Sequence, residues 1–235
     1  PEVPNEIFYK ASAKPDTWWR DVKTWDKYAY VVSEATDGLY IVDLEQIPGT
    51  IQETFFFGDN YPFTKAHNIF IDENGIAYIF GANYGNGGVI MLDVASDPLN
   101  PVELGVFDLY YVHDGYVRGD TLWASCINNG LQAVVNVLDK ATPQIVATWN
   151  TMGNYSHNCW PSDDGKTLYT TDEIPGGYIT SYNVSDLNNV IELDKVKSNY
   201  GNRTVPHNVH FLNNFLITSY YNDGILIHEI GRAHV

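Results

Sequence analysis

Cysteine and positive charge are both scarce in this chain. Among its 235 residues there are two cysteines, Cys126 and Cys159, too few for a disulfide framework, which leaves one bridge or two buried thiols open. Only 13 lysines and arginines stand against 29 aspartates and glutamates, a net charge of −16. Counterion-release binding to a phosphate backbone has no footing at that charge, which argues against nucleic acid as a partner. No apolar run approaches the roughly 18 residues needed to span a membrane. Sustained helical periodicity is missing too, and the plentiful Tyr, Trp, Phe, Val and Ile, broken by turn residues at short intervals, favour strands.

What is present is a repeat. Ala66-His67-Asn68-Ile69, Val112-His113-Asp114-Gly115, Ser156-His157-Asn158-Cys159 and Pro206-His207-Asn208-Val209 open four registers, their histidines 46, 44 and 50 residues apart. A divergent fifth copy, Trp19-Arg20-Asp21-Val22, stands 47 residues before His67 with arginine in the histidine's place. Each register continues alike. In the second copy a strand is expected at 67–72, a turn at 73–75, strands at 76–80 and 89–93, and a fourth strand at 101–107. Four antiparallel strands per repeat predict an all-β, five-bladed β-propeller in one domain, residues 1–228. The last register has room for three strands only, so the strand-like Glu6-Ile7-Phe8-Tyr9 is expected to close the final blade as its outer strand, protecting a sheet edge.

The third strands read Leu39-Tyr40-Ile41-Val42-Asp43 and Val89-Ile90-Met91-Leu92-Asp93, with looser versions at 178–184 and 225–228. Together with Trp19-Arg20-Asp21-Val22-Lys23, the His-Asn and His-Asp openings and Thr171-Asp172-Glu173, this resembles the LVIVD-repeat propellers, in particular the secreted bacterial choice-of-anchor B proteins. The resemblance covers residues 17–228 and implies an extracytoplasmic propeller, secreted or at the cell surface, without implying a reaction. The third copy, 131–139, departs from the pattern. The opening Pro-Glu-Val-Pro looks like a chain trimmed after a leader. At the other end, Glu229-Ile230-Gly231-Arg232-Ala233-His234-Val235 is the translation of GAGATCGGAAGAGCACACGTC, a common sequencing-adapter sequence. Residues 229–235 are therefore taken as a non-native tail, and His234 enters no site.

In a propeller the inner strands start at one mouth of the central channel, so the repeat is expected to bring His67, His113, His157 and His207 together there. Asn or Asp follows the key position in all five copies, and bonding to nearby backbone accounts for most of these. Histidine has no comparable turn-forming role. Four imidazoles crowded together repel if protonated and need partners if buried and neutral. A transition metal ion, Zn, Fe, Cu, Ni or Mn, resolves both problems, and His67, His113, His157 and His207 are its expected ligands. Asp114, Asp172 and Glu173 are candidates for moving protons, and Arg20 for holding an anionic group. Glu34 is a candidate acceptor for a ligand N–H, His210 is expected in the core with a further metal ligand as the alternative, and Tyr84, Trp160, Tyr220 and Tyr221 can pack or stack on sugar rings. These residues point to a metal-dependent lyase, hydrolase or oxygenase acting on an extracellular small molecule or glycan such as a polysaccharide. The alternative is a non-enzymatic surface module that binds glycan or protein, its histidine ring purely structural. Fold does not choose between them.

Overall fold

A computed structural model of the chain describes residues 6–14 and 17–231. Its contacts divide it into two units, 1–109 and 110–235. The first holds two four-stranded sheets. One runs β1 (Arg20–Trp25), β2 (Tyr28–Ser33), β3 (Leu39–Asp43), β4 (Gln52–Phe56); the other runs β5 (Asn68–Ile71), β6 (Ile76–Phe80), β7 (Val89–Asp93), β8 (Val102–Phe107). The second unit holds three sheets. They are β9 (Asp114–Arg118), β10 (Thr121–Cys126), β11 (Leu131–Asn136), β12 (Gln144–Asn150); then β13 (Ser156–Pro161), β14 (Thr167–Asp172), β15 (Ile179–Asn183), β16 (Ile191–Val196); then β17 (Pro206–Leu212), β18 (Phe215–Tyr220), β19 (Gly224–Glu229). Every pairing is antiparallel between strands consecutive in the chain, so the five expected blades are all present.

The turn between first and second strands carries a left-handed residue in each blade, at Asp26, Gly75, Gly119, Gly165 and the pair Asn213 and Asn214. Such φ values are what tight hairpins demand and what Gly, Asn and Asp tolerate. At Gly75 the space is also taken: a Cβ there would stand 2.6 Å from the Trp25 ring of the preceding blade.

Blades bury one another by a fixed rule. The third residue of each second strand stands opposite a residue of the third strand, giving the pairs Tyr30–Ile41, Tyr78–Met91, Trp123–Val134, Tyr169–Ser181 and Ile217–Ile227. This is the forward face of a blade. Its back face carries the flanking residues, such as Ala77, Ile79, Ile90 and Leu92. In the first unit, Tyr30 and Ile41 of the first blade cluster with Ala77, Ile79 and Leu92 of the second. In the second unit, Trp123 and Val134 meet Cys159 and Leu168, and Tyr169 and Ile179 meet Val209, Phe211 and Leu216. Each fully buried aliphatic side chain contributes roughly 1.5–3 kcal/mol, so these contacts dominate the stability of both units.

The closing strand expected near Glu6–Ala11 is not formed. Among the described residues the last sheet has three strands, and residues 6–14 carry none. Instead the Lys10 ammonium pairs with Glu53 of β4 and lies over the Tyr40 and Phe55 rings, 5.9 and 5.4 Å from their centroids. The Ala13 N–H donates to Asp37 at 2.9 Å, and Arg20 donates to Ser12 Oγ at 2.7 Å. An aromatic and acidic face on the first blade thus holds the segment that the last blade was expected to take. The two cysteines are free and buried.

Candidate metal centre

The candidate centre lies wholly in the second unit and is built from the first strands of its three blades. His113 precedes β9 and is tied by its N–H to the Ser125 carbonyl at 2.9 Å. His157 sits at a break in the β13–β14 register, between the pairs Ser156–Asp172 and Asn158–Thr171, so it has no opposite residue. His207 sits at a similar break in β17, between the pairs Pro206–Tyr220 and Val209–Thr218. Extra residues of this kind re-aim side chains that plain pleating would turn elsewhere. The rings of His113 and His157 are 4.3 Å apart, as are those of His157 and His207. Tyr111 lies edge-on to His113 at 6.5 Å and Tyr221 edge-on to His207 at 5.4 Å, extending the three imidazoles into a row of five rings.

Glu173, just past β14, reaches into this row. Its Oε2 is 3.6 Å from His157 Nε2 and its Oε1 3.9 Å from His207 Nε2. The Tyr221 hydroxyl donates to the same Oε1 at 2.5 Å. One donor atom each from His113, His157 and Glu173 lie within 4.8 Å of one another. Metal–nitrogen and metal–oxygen bonds of about 2.0–2.2 Å place neighbouring ligand atoms roughly 3.4 Å apart in a tetrahedron, so the His157–Glu173 spacing already fits. Two imidazoles and one carboxylate are a donor set that suits zinc or ferrous iron and leaves coordination positions open. His113 and His157 are buried and His207 is half exposed, so solvent meets the group from the His207 side. A shallow pocket of about 200 Å³, lined by His207, Ser219, Tyr220 and Tyr221, opens there.

Other predicted residues have structural work. Asp172 accepts from the Thr151 hydroxyl at 2.5 Å and from the N–H groups of Gly153 and Tyr155, each at 2.9 Å. It thereby fixes the loop that leads into His157, and Gly153 is required there because a Cβ would lie 2.8 Å from the Asp172 side chain. Asp114 is buried and accepts from Gly115 N–H at 2.6 Å, Asn158 Nδ2 at 3.0 Å and Asn208 Nδ2 at 3.3 Å. Asn158 in turn accepts the Val209 N–H at 2.9 Å, so the Asn and Asp positions of the repeat join adjacent blades as well as turning the chain. In the first unit Asp21 accepts from Ile69 N–H of the next blade at 3.3 Å.

His67 and Arg20 belong to the first unit. His67 Nδ1 lies 2.7 Å from Glu34 Oε1, and Arg20 donates to Thr17 and Ser12 of the N-terminal segment. His210 is exposed and lies over the Trp160 ring at 4.2 Å, which corrects its expected place in the core. Trp160 and Tyr84 are packed against other rings, Tyr116 and Tyr61. Glu173 was legible as a candidate base; its spacing from His157, the Tyr221 bond and the register breaks were not. Burial pushes the Cys126 and Cys159 thiols up to about 12, which keeps both protonated.

No family model matches this sequence. No curated protein matches it either. Among solved structures the chain is similar to a candidate 6-phosphogluconolactonase from Bacteroides uniformis, at TM-score 0.69 and 14% identity over 94% of this chain. It is similar to the β-propeller domain of Cps50 (Swd1) from Myceliophteria thermophila, at TM-score 0.62 and 14% identity over 88%. It is also similar to the periplasmic gluconolactonase PpgL of Pseudomonas aeruginosa, at TM-score 0.66 and 13% identity over 87%. The chain spans 70%, 68% and 65% of the lengths of these three. No helix among the described residues is long and apolar enough to cross a membrane. At such identities the likeness concerns architecture alone, and the architecture is that of an all-β, five-bladed β-propeller.

Proposed function

We propose that this chain is an extracytoplasmic metal-dependent enzyme whose centre is formed by His113, His157 and Glu173. The observation that carries this is the convergence of their donor atoms within 4.8 Å. Zinc or ferrous iron suits the set best, with Cu, Ni and Mn as further occupants of the same donors. Such an ion supplies a Lewis acid or an activated water at its open positions. Glu173 is assigned here as a ligand in place of a free base, and His207 as the group nearest an incoming substrate. Asp114 and Asp172 position the blades and the His157 loop, and His67 pairs with Glu34 in the first unit.

Two of the matched structures are named as a candidate 6-phosphogluconolactonase and a periplasmic gluconolactonase, which makes a small hydroxylated molecule the first substrate class to test. Metal analysis of protein purified without a histidine tag is expected to find one transition-metal ion per chain. Replacing His113 or His157 by Ala, or Glu173 by Gln, should lower occupancy at least tenfold, and His210→Ala should not. A metal-free protein that stays fully folded after metal supplementation would sink this assignment. It would favour the non-enzymatic binding module, for which the row Tyr111, His113, His157, His207, Tyr221 speaks as a packed structural column.

A further inference from the structure

The connection from β16 to β17, residues 197–205, makes one 3-10 turn at Gly201–Arg203 and is tied on two sides to the loops that carry the candidate centre. On one side is the loop that starts with Glu173. Its Gly176 N–H donates to the Thr204 carbonyl at 2.9 Å, and a Cβ at Gly176 would stand 2.2 Å from Asn202 Oδ1, so the two segments meet closely. On the other side the Tyr221 N–H donates to the Val205 carbonyl at 3.2 Å and Asn222 Nδ2 to the Arg203 carbonyl at 3.0 Å. Ser198 is buried and donates to Asp223, which anchors the start of the connection. Arg203 thus has a fixed place beside the centre. Four positions separate it from His207, which limits the distance between their Cα atoms to at most roughly 14 Å.

Two cations of this connection stand clear of acids. Arg203 Nε donates to the Tyr200 carbonyl at 3.4 Å and its guanidinium lies 5.4 Å from the Tyr200 ring centroid, while the Lys197 ammonium lies 4.9 Å from the Tyr178 centroid. Among the described residues no carboxylate of the second unit pairs with either, in a chain with 29 acids to 13 bases. With acids in such surplus, a cation kept apart from them is a cation left for another anion. The two Nη groups of Arg203, the fork that matches a carboxylate or phosphate, meet no protein acceptor among the described residues, and the Tyr200 contacts hold the fork in place, which lowers the entropy lost on binding. We infer that Arg203, with Lys197 at the start of the same connection, holds an oxyanion of the substrate while the reacting atoms lie at the metal. The substrate is then a small hydroxylated acid, carrying a carboxylate or a phosphate, and not a neutral sugar. This rests on the metal centre proposed above. It gives Arg203 the role that the sequence suggested for Arg20, which is engaged with the N-terminal segment.

Calorimetric titration of zinc-supplemented protein with glucose, gluconate and glucose monophosphate tests this. The two acids should bind at least tenfold tighter than glucose, and the tighter of them tells carboxylate from phosphate. Arg203→Gln should bring both acids down to the level of glucose with metal content unchanged, and Arg203→Lys should restore part of the preference, because a point charge lacks the fork. Circular dichroism melting confirms that both variants fold. Metal analysis of the same samples separates the two readings: a chain that holds no metal yet prefers acids through Arg203 sinks the metal centre and keeps the anion site. Three results overturn the inference: equal affinity for all three probes, binding of none of them, or a preference for acids that Arg203→Gln leaves in place.

Discussion

The Tyr221 hydroxyl donates to Glu173 Oε1 at 2.5 Å, leaving Oε2 facing His157 Nε2 at 3.6 Å. Tyr221 itself lies edge-on to His207. One phenol therefore holds the carboxylate with Oε2 toward His157 and Oε1 toward His207. Burial and the neighbouring Glu173 hold that phenol up at about 12, so it is a hydrogen-bond donor throughout the neutral range.

Tyr221→Phe should keep the fold and weaken metal binding about tenfold, the lower end of the roughly 10–100-fold cost of losing a group that orients a ligand. Competition against a chelator of known affinity reads this directly. Unchanged affinity in a variant that melts like the parent would mean that Glu173 needs no such hold.

Asp172→Ala should cost stability in the region of roughly 3 kcal/mol, because Thr151, Gly153 and Tyr155 each lose a buried acceptor. Urea unfolding measures it. A loss well under about 1 kcal/mol would show that water replaces the carboxylate and that the loop does not depend on it.

Alkaline pH should unfold the protein ahead of ordinary base damage. Burial, with Cys159 nearby, pushes Cys126 from a usual 9.0 to about 12, and burial raises Tyr182 from 10.0 to about 12. An acid whose folded pKa lies above its unfolded one stabilises the fold fully below the unfolded value, and that stability is lost as pH rises through the folded one. The melting temperature is thus expected to fall between pH 9 and 12. A flat profile there would contradict the burial of these groups.

Thiol titration with an aromatic disulfide at pH 8 should find almost no reaction in the folded protein and two thiols per chain after unfolding in denaturant without reductant. Fewer than two would indicate a Cys126–Cys159 bridge in the purified protein.

The chain's own residues determined the blade count, the turn positions and the candidate histidines, because strand alternation, left-handed turns and a repeat of about 47 residues are local properties, written into each copy. β7 at Val89–Asp93 coincides with its expected place, and the left-handed Gly75 falls in the expected turn. Whether a side chain at such a position becomes a ligand depends on its neighbours in other blades. The register breaks at His157 and His207 lie within single hairpins but leave no mark in the residue pattern, and the Tyr221–Glu173 bond joins residues 48 positions apart in two blades, which no single repeat encodes. The N-terminal segment shows the same limit. Its alternation suited an outer strand, but alternation names a conformation and no partner; the Lys10–Glu53 pair and the Asp37 acceptor placed it on the first blade. Tertiary structure decided these points because energy there resides in pairs of groups that meet only after the blades have packed.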